Sequence, residues 1–323
     1  MSNTKSPFVS VLMPAYNVEP YIKKAIQSIL DQTYTDFELI ITDDCSTDQT
    51  LSIIHSFNDS RICCIANPHN LGYADNMNSL FNRAKGKYLV IQDADDYCTE
   101  NRLQVLVDFL NTHESIAMVG SSYFKIDEQG GKEIILKSED TTEIETAFIQ
   151  MVDPLPVLNG SVMFQRKIID EGFLFRNLQY VNRSQDDDWL FRISENFRIA
   201  NVKDCLYYYR FNPRSMTMNL SSINYYSLFS GEYVRFLKQV RTSHGKDLLA
   251  EGEHEAIEVF FRQKKKELTN QQPAFLELYI AHKQLAFGQR LKAMSWFFKA
   301  LYKNPSSIFI WKKIIFLLLR RDN

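Results

Sequence analysis

Tyr88-Leu89-Val90-Ile91-Gln92-Asp93-Ala94-Asp95-Asp96 decides how this chain of 323 residues is read. Four consecutive apolar residues are the mark of a short strand covered on both faces. Three carboxylates follow within four positions. In extended chain, residues two apart share a face, so Asp93 and Asp95 point the same way. Two such charges raise each other's pKa unless a cation or a donor stands between them. A divalent metal bound to phosphates is the usual remedy, because Mg²⁺ and Mn²⁺ take oxygen ligands and need few from protein. The alternative is an acidic turn in water, so the weight of this stretch depends on its surroundings.

On either side of it, strand-like and helix-like patterns alternate. Residues 8–13, 37–42, 61–66, 87–91 and 116–119 read as strands. Residues 19–32, 47–57, 73–84 and 102–111 carry apolar side chains at helical spacing. Strands alternating with helices of about 10–15 residues predict a parallel sheet with helices on both faces. Ligands in such sheets bind beyond the carboxyl ends of the strands. The acidic groups fall there: Asp43-Asp44 after the second strand and Asp93–Asp96 after the fourth. Beyond Ser121 the alternation gives way to short strands and loops, including Asp153-Pro154-Leu155-Pro156. Gln185-Asp186-Asp187-Asp188 then opens a helical segment at 189–196, and 202–211 is a further strand. From Ser221 onward the pattern is all helical, which predicts a domain over 1–220 and a helical region over 221–323.

Composition narrows the classes further. Hydrophobic residues make up 45% and charged residues 24%, which fits a globular protein and excludes disordered and collagen-like chains. Cys45, Cys63, Cys64, Cys98 and Cys205 lack metal-ligand spacing and suit reduced thiols in a cytoplasmic setting. The first residues have no signal-peptide layout. The six histidines form no zinc-like pair, and neither a P-loop nor a Gly-x-Gly-x-x-Gly stretch is present. Nothing points to nucleic acid. The net charge of −2 conceals an asymmetry: residues 283–323 hold nine Lys/Arg against one acid, leaving 28 basic and 38 acidic residues elsewhere. A basic tail on an acidic body suggests a partner of its own.

Several segments join the opening stretch in a fixed order: Pro14-Ala15-Tyr16-Asn17, residues 28–33, Asp43-Asp44-Cys45-Ser46-Thr47-Asp48, Asn70-Leu71-Gly72, Asn159-Gly160-Ser161 and Gln185-Asp186-Asp187-Asp188. In this order and spacing, over about residues 8–215, the chain resembles the family 2 glycosyltransferases of the GT-A fold, in particular bacterial enzymes of surface-polysaccharide, O-antigen, capsule and lipooligosaccharide synthesis. The resemblance implies a Rossmann-like α/β nucleotide-diphospho-sugar transferase domain with a helical carboxyl-terminal extension. It implies an inverting, metal-dependent hexosyltransferase that uses a nucleotide sugar, UDP-linked for preference, and a glycan or lipid-linked acceptor.

The same resemblance distributes roles. Pro14, Ala15, Tyr16, Asn17, Asn70, Gly72 and Ala94 line the nucleotide pocket, with Ala15 and Tyr16 against the base. Asp44 accepts a hydrogen bond from a base N–H. Asp93 binds ribose and Asp95 ligates Mn²⁺ or Mg²⁺, while Asp96 makes a water-mediated contact or is simply solvated. Asp186 is the catalytic base, since displacement with inversion needs a carboxylate opposite the leaving group. Asp188 is the alternative base. Two positions depart from the family pattern: Gln185, where Glu is usual, and Asn212, where His is common. Arg210 and Arg214 carry planar forks suited to phosphate. A sugar nucleotidyltransferase or a silent nucleotide-sugar-binding module are the competing readings. The former would need a Gly-rich basic loop after the first strand, which Pro14–Asn17 is not.

In the tail, residues 293–305 resemble half of a tetratricopeptide-type helix pair, and one copy makes no array. Residues 308–321 are strongly apolar but too short to span a bilayer, and Lys312 and Lys313 interrupt them. An interfacial helix at the inner face of the membrane is one expectation. Packing on its own domain or within a homo-oligomer is the other.

Overall fold

The computed structural model describes residues 7–128, 130, 134–136, 157–181, 183–212, 224–271, 273–286 and 290–319. Asp153–Pro156 and Arg214 lie outside them. The first compact unit comprises Met1–Asn177 with Gln185–Asn212, and the second Leu178–Ser184 with Pro213–Asn323.

In the first unit the elements run β1 (Val9–Ala15), α1 (Glu19–Leu30), β2 (Phe37–Asp43), α2 (Thr50–His55), β3 (Ile62–Ala66), α3 (Tyr73–Arg83), β4 (Tyr88–Ile91), β5 (Tyr97–Cys98) and α4 (Arg102–Thr112). Then come β6 (Ile116–Ile126), β7 (Ile134–Leu136), a 3₁₀ turn at Asn159–Ser161, β8 (Met163–Gln165), α5 (Lys167–Asp170), α6 (Gln185–Ser194) and β9 (Arg198–Arg210). The sheet order is β3-β2-β1-β4-β8-β6-β9-β5, with β7 paired to β6.

The fully parallel sheet expected from the alternation is realised only in its first half. β3, β2, β1 and β4 are parallel, but β8 runs antiparallel between β4 and β6, and β5 antiparallel to β9. The sheet is therefore mixed. Strand β6 also outruns the predicted 116–119. Its polar centre, Ser121 and Ser122, is buried, and register shifts toward β9 accommodate it there. A polar run reads as a loop by hydropathy and becomes a strand once β9 pairs its backbone.

The parallel half sets the site's position. All four residues of β4 are buried. In register, Ala15 lies opposite Asp43 and Leu12 opposite Ile91. Two backbone bonds continue the ladder past the strand ends, Asp44 N–H to the Ala15 carbonyl (2.8 Å) and Gln92 N–H to that of Leu12 (3.0 Å). Three adjacent strands thus deliver their carboxyl ends to one edge. Behind them α1 buries Tyr21, Ile22, Ala25, Ile26 and Ile29, an i, i+4 stripe against the sheet.

The second unit is helical: α7 (Tyr225–Leu228), α8 (Ser230–His244), α9 (His254–Gln271), α10 (Phe275–Ala286), α11 (Arg290–Lys303) and α12 (Ile308–Leu319). Ala281, Ala293, Phe297, Ile310 and Ile314 form one of its cores. None of the described helices is long and apolar enough to cross a membrane.

Candidate active site

The loop after β4 is held from beneath by two residues that the sequence reading passed over. Arg102 is fully buried, and its guanidinium donates to the Ile91 carbonyl (3.0 Å), Gln92 Oε1 (2.8 Å) and the Gly160 carbonyl (2.8 Å). It also lies 4.9 Å from the ring centre of Tyr207. The Tyr207 hydroxyl accepts the Asp93 backbone N–H at 3.2 Å and, by hydrogen bonding, holds down the pKa of both Asp93 and Asp96. The sequence did carry a signal for Arg102: it occupies an apolar-face position of α4, four residues before Leu106 and eight before Leu110. An arginine on a buried stripe must have carbonyl or carboxylate partners.

Gly160 closes the same spot. A side chain there would press its Cβ to 2.6 Å from Asp93 Oδ2 and 2.4 Å from the Tyr207 hydroxyl, so the Asn159-Gly160-Ser161 turn can hold no larger residue. Next to it, Asn159 donates through Nδ2 to the hydroxyl of Tyr73 (2.8 Å).

Asp93 lies within reach of the charges of both Asp95 and Asp186, and all three carboxylates are half-buried. Burial raises the Asp93 carboxyl to about 7, with the charges of Asp95 and Asp186 adding to the rise and Arg102 opposing it. The Tyr73 hydroxyl is raised by burial first and then by Asp93, Asp186 and Asp95, so it looks onto all three. Asp186 stands in the first turn of α6. Burial raises its pKa, while the N–H groups of Asp186 and Asp187 at the helix start moderate the rise. Asp95 is raised by burial and held back by Asn212, whose Nδ2 donates to Asp95 Oδ2 at 2.8 Å.

Three expectations need correction. Asp96 is no solvated turn residue: it is buried and accepts the Arg210 backbone N–H at 2.7 Å. Arg210 is no phosphate clamp, because its guanidinium donates to the Asp95 and Glu128 carbonyls and lies over the rings of Tyr21 and Tyr97. Asp188, the alternative base, is fully buried and accepts a two-pronged bond from Arg176 (2.8 Å each) and a third from Arg192 (2.9 Å). A carboxylate so bound anchors the helix and has no access to an acceptor hydroxyl.

The residues expected on the nucleotide side sit at the adjoining strand ends. Pro14 and Ala15 close β1, and Tyr16 beyond them is 48% exposed. Asn17 adopts φ +51° and its Oδ1 accepts from Thr47 N–H (2.8 Å), which ties this loop to the one after β2. Ser46 does not cap α2; its Oγ accepts the Asn17 N–H instead (2.9 Å). Asp44 is buried, and its carboxylate accepts from Leu71 N–H (2.9 Å), Asn67 Nδ2 (2.9 Å) and Gly72 N–H (3.0 Å). It therefore shapes the Asn70–Gly72 turn. Asn70 is exposed and donates to the Asp44 carbonyl (3.2 Å). Gly72 is required by its φ of +79° more than by crowding, since a Cβ there meets no protein atom within 4 Å. Ala94 is buried between the two carboxylates of the Asp-x-Asp stretch.

This donor set is all oxygen, crowded and short of cations, which suits a hard divalent ion. Among the described residues no group of three or more His, Cys, Asp or Glu is arranged as a closed metal site. A cation here would complete its coordination from a bound ligand.

Residues 10–173 match the model of Glycosyl transferase family 2. The putative glycosyltransferase EpsE of Bacillus subtilis is 33% identical over 226 residues, 67% of this chain and 79% of that protein. An Escherichia coli protein, UDP-Glc:alpha-D-GlcNAc-diphosphoundecaprenol beta-1,3-glucosyltransferase WfaP, is 28% identical over 65% of this chain and 80% of its own length. Among solved structures, S. aureus TarS 1–349 in complex with UDP-GlcNAc superposes with a TM-score of 0.57 at 17% identity, covering 95% of this chain and 90% of that one.

Proposed function

This chain belongs to Glycosyl transferase family 2, is a glycosyltransferase of GT-A-like fold, and we propose that it transfers a sugar with inversion from a UDP-sugar to a glycan or lipid-linked acceptor of bacterial surface polysaccharide. The observation that carries this reading is the meeting of Asp186, from the start of α6, with Asp93 and Asp95 at the end of β4. A displacement with inversion needs a base on one side of the anomeric carbon and charge relief on the other. The two acidic elements supply those two sides. The UDP assignment draws support from the donors that the names of WfaP and TarS print.

In this mechanism Tyr16 and Ala15 receive the base and the Asp44-shaped turn flanks it. Asp93 binds ribose hydroxyls. Asp95, with Asp93 beside it, would hold Mg²⁺ or Mn²⁺, which when bound neutralises charge on the departing nucleoside diphosphate. Asn212 fixes one oxygen of Asp95 and so orients the other. Asp186 accepts the proton of the acceptor hydroxyl as its oxygen attacks the anomeric carbon. Its raised pKa makes its ionised form a stronger base than a solvated aspartate.

Calorimetry with UDP tests the donor site. Affinity is expected to rise at least about tenfold when Mn²⁺ is present, and Asp95→Ala is expected to remove that gain. The pH sense follows from Asp93. Its folded value of about 7 exceeds the unfolded 3.8, so between these the native state keeps a proton that the unfolded chain releases. Stability of the metal-free protein therefore falls as pH rises from about 4 to 7. Stabilisation by Mn²⁺, which competes with that proton, grows over the same window. UDP binding indifferent to Mn²⁺ at every pH would remove the metal from the proposal.

We further propose that α12 seats the protein on the inner face of the membrane. One side of this helix, Ile310, Ile314 and Leu317, is buried. The opposite side exposes Ile308 (70%), Phe309, Trp311, Ile315 and Phe316 beside Lys312. An apolar face bearing Trp and rimmed by lysine fits an anionic lipid interface. Co-sedimentation with phosphatidylglycerol vesicles is expected, weakening in high salt and lost in the Trp311→Ser/Phe316→Ser double variant. Equal pelleting with and without vesicles would refute it.

A further inference from the structure

We propose that an aromatic cleft within the helical unit is a second carbohydrate site, built for a sugar ring that carries a negative charge. The cleft measures ≈ 460 Å³, inside the range of roughly 300–1,000 Å³ usual for small-molecule sites. The rings of Tyr180 and Tyr226 stack in its wall at 5.2 Å and 19°, and Phe261 meets both edge-on at 5.6 and 5.0 Å. Tyr226 stays 40% exposed although it is a large aromatic. Glu258, Arg262 and Lys265 are the charged residues of the lining.

The construction is deliberate in its local geometry. Tyr180 adopts φ +71°, a conformation that bulky residues avoid. Its hydroxyl donates to Glu258 Oε1 at 2.9 Å, and the neighbouring Gln179 meets His254 at 2.6 Å. Two bonds from α9 thus pin a strained turn so that its ring stands in the wall. Strain of this kind persists where the surroundings over-determine it, and such places are commonly ligand sites.

The chemistry of the lining selects the ligand. A pyranose presents one face of C–H groups with slight positive charge, which stacks on the electron-rich face of a tyrosine. Its hydroxyls need both donors and acceptors, and Glu258 and Arg262 offer one of each. Arg262 and Lys265 outnumber the single acid, and the guanidinium fork matches a phosphate or carboxylate. A sugar phosphate and a uronic acid share this chemistry. The choice of a sugar rests on the glycosyltransferase reading, while the cleft itself lies wholly in the second unit.

Saturation-transfer NMR on the full chain decides it, with glucose 1-phosphate and glucuronic acid as probes and glucose as the neutral comparison. Both charged sugars are expected to receive saturation, glucose markedly less, and the stronger of the two charged probes identifies the anion. Tyr226→Ala and, independently, Arg262→Gln are expected to weaken binding about tenfold, while the thermal stabilisation by UDP and Mn²⁺ stays at the wild-type value. Absence of transfer to either charged sugar overturns the proposal. So does transfer that both variants leave unchanged, or that UDP abolishes, since the sugars would then occupy the nucleotide site. Failure of the donor reading is separately visible, as loss of any UDP response in the wild-type chain.

Discussion

Asp186→Asn is expected to lower the rate of sugar transfer by about 10²–10⁴-fold while UDP and Mn²⁺ bind as before. The amide keeps the shape of the carboxylate and its place in the first turn of α6, but it cannot take a proton. The substitution also removes one of the like charges that crowd Asp93. The metal-free variant should therefore melt at a higher temperature than the wild type, because a repulsion that the native fold tolerates has gone. Slower catalysis combined with greater stability separates a catalytic carboxylate from a structural one. A variant that is both less stable and less active would place Asp186 in the scaffold, and one that transfers at full rate would dismiss it as the base.

Asp188→Ala should do the reverse, with its main effect on stability. The carboxylate is fully buried and accepts from both Arg176 and Arg192, whose side chains are only 20% and 12% exposed. Its removal takes from both guanidinium groups the buried carboxylate that they share, a loss of about 3–5 kcal/mol for a buried pair broken on one side. In a chain of this size that lowers the melting temperature by something on the order of 10 °C. Thermal denaturation followed by circular dichroism reads it directly. A shift within about 2 °C of the wild type would mean that the arginines find water or other partners at little cost.

The contrast between these two residues shows what the sequence could and could not convey. Asp186, Asp187 and Asp188 are one run of identical residues, and the reading chose Asp186 by likeness to a family. Only the helix phase tells them apart: α6 starts at Gln185, four residues before the predicted 189, so Asp188 turns inward to Arg176, twelve residues back, and to Arg192, one turn ahead on the same helix. The parallel half of the sheet was legible because each of its strands is a run of apolar residues ended by acid or turn chemistry. The antiparallel insertion of β8 was not, since three residues, Met163–Gln165, carry too little pattern to betray direction. The crowding of Asp93 and Asp95 was legible from their spacing behind β4, while the roles given to them came from the resemblance. Of their supports, Arg102 left a trace as an arginine on a buried stripe of α4, whereas Tyr207 comes from β9, and a partnership across 114 positions leaves no local trace. Arg210 was misread for the same reason. An arginine near an acidic cluster looks like a phosphate ligand until its guanidinium is seen donating to backbone carbonyls.

Asn212 illustrates a departure that keeps its place. The family-like histidine would bring a titrating nitrogen, whereas the amide here donates to Asp95 at any pH. Orientation of the Asp95 carboxylate is accordingly independent of the state of residue 212, and the pH response of the site falls to its carboxyl groups.

The stereochemistry of sugar release tests the central claim most directly. With UDP-α-glucose or UDP-α-N-acetylglucosamine, Mn²⁺ and no acceptor, water takes the acceptor's place, and ¹H NMR identifies the anomer formed before mutarotation mixes the two. Single displacement with Asp186 as base predicts the β-sugar as first product, in the wild type and not in Asp186→Asn. First release of the α-sugar would contradict it.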